Sequence, residues 1–156
     1  MMTDTQLQTL ATALRAETDS NVVNYLANRM DVQLAEWCNT ASASNAWNPA
    51  MTGGLLFEAT NVVKFDSITA GKRASWDLML RYAPLDMGRN KLRLAVIDVW
   101  GNTDSIAVLQ ACTRKATNGE KYLGTSSVTE NTVTALKLTA PGQISISDVS
   151  SALNRF

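Results

Sequence analysis

Residues Asp66 to Leu123, DSITAGKRASWDLMLRYAPLDMGRNKLRLAVIDVWGNTDSIAVLQACTRKATNGEKYL, hold most of the strong apolar periodicity of this chain. The stretch reads as helices in succession. Trp76, Met79, Leu80 and Ala83 recur at i, i+3, i+4 and i+7, one face of an α-helix. Pro84 ends that helix, because proline lacks the amide proton and disfavours helical geometry in the residue before it. Leu92, Ala95, Val96 and Val99 make the stripe of a second helix, and Leu94 and Ile97 add apolar side chains on its other faces. A helix apolar on most sides is expected to lie centrally. A third helix carries Ile106 and Leu109, with Cys112 or Thr113, on one side, and Asn102 or Thr103 suits its N-cap.

Outward from this centre, Asp4–Ala16 reads as a short amphipathic helix with Leu7, Leu10, Ala11 and Leu14 on one side and Thr3 or Asp4 as its cap. Ser20 is expected to cap a second helix, with Val22, Val23, Leu26 and Ala27. A third follows from Asp31, with Leu34, Ala35, Trp37 and Cys38 as core candidates. Residues 39–54, NTASASNAWNPAMTGG, carry the small, polar, Asn-Pro and Gly-Gly signals of a long loop. Leu55–Glu58 and Asn61–Phe65 read as two short β-prone pieces, strands or parts of an extended arm. Beyond the centre, residues 124–131 (GTSSVTEN) break the helical pattern. Residues 132–139 and 143–146, separated by Ala140-Pro141-Gly142, then read as a β-hairpin. Ser147 is expected to cap a final helix over 148–154. The expected fold is mainly α: a compact bundle of short helices with a small C-terminal β-hairpin and an extended mid-chain arm. It is drawn as a single domain, 1–156, made of 1–38 helices, a 39–65 arm, a 66–123 helical core and a 124–156 hairpin and terminal helix.

A chain of 156 residues can bury a core without staples. Its 14 basic and 14 acidic residues cancel, so no global field draws it to nucleic acid or to an anionic membrane. The charges are nonetheless uneven. Residues 1–60 hold a net of −4 and residues 61–123 a net of +4, which suits head-to-tail packing of subunits or ordinary solvated faces. No apolar run approaches the ~20 residues of a membrane span. The opening MMTDTQLQ lacks the basic and apolar regions of a signal peptide, so a soluble protein made in a reducing cytoplasm is expected. Cys38 and Cys112 sit inside apolar helical patterns and read as small hydrophobes, with a disulfide left open.

Histidine is absent, which removes the commonest general base, nucleophile activator and zinc ligand. The acids are scattered, and no P-loop, dinucleotide-binding, Cys-x-x-Cys or EF-hand pattern occurs. The reading is therefore not an enzyme, with no metal and no cofactor. Asp98, inside an apolar helix, is the best candidate for a perturbed carboxylate; pairing or a solvent-facing position are its alternatives. Lys72, Arg73 and Arg81 precede Arg89, Lys91 and Arg93, and the last three flank a helix start where an anion or phosphate would also meet free N–H groups. Sequence-specific DNA binding has no motif behind it, so DNA contact is expected only as incidental. Trp47 either tucks onto the core or serves as an exposed anchor. With Leu55, Leu56, Phe57, Val62 and Val63 it forms the candidate subunit contact.

Several motifs resemble those of a poorly characterised family of small proteins encoded in the structural modules of tailed bacteriophages. They are Ser67-Ile68-Thr69 with Gly71-Lys72-Arg73, Trp76, Asp98 with Trp100-Gly101, Arg114 with Ala116-Thr117, Glu120-Lys121 and Asp148-Val149. The resemblance covers mainly the second half of the chain, and NAWNPAMTGGLLF at 45–57 departs from it. It implies a structural virion protein, made in the host bacterial cytoplasm, at the head–tail neck in a connector or completion role, or in the tail. Implied partners are other virion proteins, portal, connector or tail, and further copies of the chain in a homo-oligomer. The alternatives are a capsid decoration protein, a non-virion assembly chaperone, and a DNA-binding accessory.

Overall fold

A computed structural model describes residues 1–140 and 142–156, without the side chain of Thr125. The fold is mainly α with a small sheet, 58% helix and 17% strand. In chain order the helices are α1 (Asp4–Ala16), α2 (Ser20–Ala27), α3 (Asp31–Cys38), α4 (Gly53–Glu58), α5 (Val62–Phe65), α6 (Ala70–Tyr82), α7 (Asn90–Ala111), α8 (Asn118–Leu123) and α9 (Ile146–Arg155). The strands are β1 (Ala41–Trp47), β2 (Thr113–Thr117), β3 (Gly124–Glu130) and β4 (Val133–Leu138). They form one mixed sheet in the order β2-β1-β4-β3, with β1 parallel to β4 and Ala46 opposite Leu136.

The chain divides into two compact units, and it crosses from one to the other inside the strands. The first comprises residues 1–44, 115–125 and 138–156. Its core gathers Leu7, Leu10, Leu14, Val22, Leu34, Cys38, Leu123, Ile144, Val149 and Ala152. Three of its helices are closed at their starts by reciprocal pairs, α2 is capped by Asp19 and not by the expected Ser20, and α3 has no side-chain cap. Thr3 with Gln6, Thr117 with Glu120 and Ser145 with Asp148 each make a reciprocal capping box that satisfies two otherwise orphaned N–H groups. Glu120, almost wholly buried, accepts from the Thr117 amide at 3.0 Å and the Gly142 amide at 2.9 Å. Tyr122 stacks on Trp37 at 6.0 Å and donates its hydroxyl to the Glu17 carboxylate.

The second unit comprises residues 45–114 and 126–137. Trp76, Trp100, Leu56, Met51, Met87, Val96 and Leu109 build its core, with Trp76 and Trp100 edge-to-face at 5.3 Å. The α6 stripe behaves as its spacing predicts: Trp76 and Met79 are buried, Leu80 and Ala83 partly so, and the helix stops before Pro84. The 22-residue α7 joins two stretches across Gly101, whose φ of 77° and ψ of 171° no side chain would readily adopt. The second and third helices of the sequence reading are thus the two halves of one broken element.

Four expectations are corrected. The sheet is more than a C-terminal hairpin, because β1 and β2 belong to it. The 39–65 segment is not an extended arm: it holds β1, α4 and α5, and both β-prone pieces are short helices capped by Thr52 and Asn61. The actual hairpin is β3–β4, one strand earlier than expected, so GTSSVTE is a strand and residues 143–145 lead into α9, capped by Ser145 and not Ser147. Of the expected Ala140-Pro141-Gly142 turn, Pro141 lies outside the described residues. Leu94 is half exposed, so α7 is not buried all round.

The β3–β4 turn is Asn131-Thr132, with φ of 43° and 71°. Both residues sit in the left-handed region that two-residue hairpins require, which asparagine tolerates and a β-branched threonine resists. Thr132→Gly is expected to raise the unfolding free energy by about 1 kcal/mol in urea titrations; an unchanged or lower value would show that Thr132 carries no strain.

A second expectation concerns pH. The Tyr122 hydroxyl, and then the Thr18 amide, hold the Glu17 carboxyl below its ordinary range. A depressed folded pKa stabilises above the unfolded carboxylate pKa of about 4.3 and stops doing so as pH falls through the folded value. Tyr122→Phe is therefore expected to cost about 1 kcal/mol at neutral pH. Its deficit against the wild type should shrink as pH is lowered through the carboxylate range. A pH-independent deficit would mean that the bond to the ionised carboxylate is not what Tyr122 contributes.

Candidate functional site

Around the start of α7 the structure separates three basic residues that the sequence brings together. Arg89 is the N-cap residue, largely exposed, with Nε 3.5 Å from Asp86. Lys91 is exposed and lines a shallow cleft of about 450 Å³ with Pro49, Pro84 and Leu92. Arg93 is only 2% exposed. Its Nη1 donates to the Met87 carbonyl at 2.8 Å, Nη2 to Asn90 Oδ1 at 3.4 Å and Nε to Glu130 Oε2 at 3.4 Å. The guanidinium lies over the Trp47 ring, 4.9 Å from its centroid. The expectation that Arg93 meets an anion is therefore corrected. Each of its three nitrogens donates to the protein, and a charge removed from water has to be matched in this way.

Beside it, a cleft of about 630 Å³ is lined by Asp86, Arg89, Asn90, Arg93, Glu130 and Lys137, with Gly88, Val128 and Thr129. Two carboxylates stand among its cations, each close to an arginine. Of the other basic candidates, Arg73 lies 3.9 Å from Asp66. Arg81 is exposed, and Lys72 is half-buried.

Trp47 is 1% exposed, and its Nε1 donates to the Val128 carbonyl at 3.3 Å. As an exposed anchor it is corrected: the ring is the floor on which Arg93 rests. Leu56 is fully buried and is corrected likewise. The remaining members of the candidate contact stand outward. Leu55, Phe57, Val62 and Val63 are 44%, 66%, 71% and 89% exposed, and all lie on α4 and α5.

What holds these short helices is visible beneath the ridge. Leu56 plugs into the core, Phe65 packs 6.5 Å from Trp100, and Thr60 Oγ1 accepts from Trp76 Nε1 at 2.8 Å. Gly53 lies so close to α6 that a Cβ there would stand 2.8 Å from the Leu80 carbonyl oxygen. Isolated helices of this length are unstable in water, so these anchors are what present the ridge.

Asp98 is exposed, the solvent-facing alternative of the sequence reading. Cys38 and Cys112 are free and buried, and burial pushes both thiols up to about 12, which keeps them protonated and inert near neutrality. Among the described residues no three His, Cys, Asp or Glu side chains converge to hold a metal ion, and no helix is long and apolar enough to cross a membrane. Two residues the sequence reading missed organise this region. Glu130, which faces Arg93, stands 37 positions away from it. Asn131 donates from Nδ2 to the buried Ser105 Oγ at 2.8 Å and to the Asn102 carbonyl. Neither pairing leaves a local sequence signal.

Comparison with protein-family models, with curated proteins and with solved structures found no match for this chain.

Arg93→Met is expected to lower the unfolding free energy by about 3 kcal/mol, because it strands Glu130 beside a desolvated space. Adding Glu130→Gln should recover at least about 1 kcal/mol of that loss in a double-mutant cycle. Simple additivity of the two changes would show that the pair is not coupled.

Proposed function

We propose that this chain is a structural protein of a tailed-bacteriophage virion that acts by protein–protein association, at the head–tail neck in a connector or completion role, or in the tail. Its partners on this reading are portal, connector or tail proteins together with further copies of itself. The observation that carries the association half is the α4–α5 ridge. Four large apolar side chains stand exposed within nine residues, on helices tethered from below. Apolar surface concentrated in this way marks an interaction site in water-exposed proteins. The virion half is supported by the resemblance of the Gly71-Lys72-Arg73, Trp76, Trp100-Gly101 and Asp148-Val149 motifs to proteins of phage structural modules.

The ridge also suits this role energetically. Side chains of this size with exposures of this order offer several hundred Å² of apolar area, a large part of the roughly 800 Å² that one partner contributes to a standard interface. Because Leu56 and Phe65 already fix the backbone, little further ordering is needed on docking. An exposed Arg89 and Lys91 leave room for passing contact with DNA inside an assembly, without making DNA the partner.

Quantitative mass spectrometry of purified particles tests the reading. A copy number near that of the portal subunits, or half of it, is expected; hundreds of copies would make the chain a decoration or tail-shaft component, and absence would leave it outside the virion. Phe57→Asp with Val63→Asp should cut incorporation at least tenfold while thermal unfolding of the isolated chain stays within about 0.5 kcal/mol of wild type, as exposed positions allow. Normal incorporation of that variant would remove the ridge from the argument.

A further inference from the structure

The two edges of the sheet are built differently. β2, at one edge, is five residues long and carries Arg114 and Lys115, and the Lys115 ammonium reaches across to the Ala43 carbonyl at 3.0 Å. Short length and basic residues are the usual protection of an edge strand against pairing with another chain. β3, at the other edge, is seven residues long and reads Gly-Thr-Ser-Ser-Val-Thr-Glu, with no proline, no lysine and no arginine. Its one charge, Glu130, turns onto Arg93. Ser126, Ser127 and Thr129 are exposed. Among the described residues, no backbone segment outside the sheet hydrogen-bonds to it.

We propose that β3 is a dimerisation edge: it pairs antiparallel with β3 of a second copy about a two-fold axis at Ser127, joining two sheets into one. The register follows from the hairpin. A two-residue turn makes the residues that flank it, Glu130 and Val133, the hydrogen-bonded pair, and Thr129 then stands opposite Thr134, whose hydroxyl it meets at 2.7 Å. The backbone groups of residues 126, 128 and 130 consequently face β4, and those of 125, 127 and 129 face outward. Antiparallel pairing about Ser127 matches each outward set with its own copy: 127 with 127, and 125 with 129. Every outward N–H then meets an outward carbonyl.

Charge supports a second copy over other occupants. In this register Glu130 stands opposite Gly124 of the other chain, so the strand's single carboxylate never meets its like, and the residues at the axis are neutral serines. Such a contact is isologous and closes on itself. It is independent of the α4–α5 ridge, which remains open for other proteins in the same assembly.

Sedimentation of the full chain over a wide concentration range is expected to show a reversible monomer–dimer equilibrium. Ser127→Pro removes an outward N–H, which an edge strand tolerates, and should weaken the dimer roughly tenfold or more with the monomer still folded. Ser127→Cys should oxidise to a covalent dimer, since hydrogen-bonded antiparallel partners stand about 5.5 Å apart at Cα, within reach of a disulfide. Thr129→Cys should not, because residue 129 faces 125. Buried Cys38 and Cys112 leave that readout clean. A monomer at all concentrations, a dimer indifferent to Ser127→Pro, or equal cross-linking of the two cysteine variants would each overturn the proposal.

Discussion

A guanidinium removed from water has to be met on every side, and in the second unit much of the structure is arranged around that demand. Arg93 takes a ring face from β1, a carbonyl from the loop before α7, an amide oxygen from the first turn of α7 and a carboxylate from the end of β3. Moving any of these elements would leave part of the charge unmatched, at a cost of several kcal/mol. Hydrophobic contacts alone allow small slides between neighbours, whereas these contacts have direction. Trp47 shows the same logic from the other side: its ring carries the cation and its N–H is satisfied on Val128, so one large side chain fixes both β1 and β3 against α7.

The ridge on α4 and α5 is legible as a surface and not as a failure of packing. The core beneath it is complete without Leu55, Phe57, Val62 and Val63. Leu56, Phe65, Trp76 and Trp100 already close it, and the Trp76 N–H finds Thr60. Side chains left over once a core is closed are free to serve association, and four within nine residues exceed the scattered exposure normal for a protein surface.

How much of this was readable in advance follows from how local each cause is. The stripes of α1, α3 and α6 are repeated over two or more turns, so periodicity finds them, and Thr3 and Thr69 cap α1 and α6. α4 and α5 are six and four residues long, too short for helical and strand periods to differ, and their β-branched valines pointed the wrong way. β3 was missed because an edge strand of serines and threonines carries no alternation of apolar residues. The candidate contact was half legible. The sequence marks Leu55 to Val63 as apolar, but it cannot say that Leu56 points in and Phe57 out, or that Trp47 lies under an arginine. The burial of Arg93 is not legible for one reason: its partner is supplied by a strand 37 residues later, and only tertiary structure tells a buried cation from a solvated one.

The same ion pair reaches beyond its own surroundings. Glu130 is the one residue of β3 whose charge would guard an exposed edge, and Arg93 draws that carboxylate onto the inner face. Asn131 then ties the turn to Ser105 and Asn102, just past the break at Gly101. Matching one buried cation thus leaves an uncharged edge strand held in place, while the opposite edge keeps its arginine and lysine. The edge that β3 presents thus depends on an internal ion pair. An interface built on it would be sensitive to Arg93, which touches no partner, as much as to the strand that does.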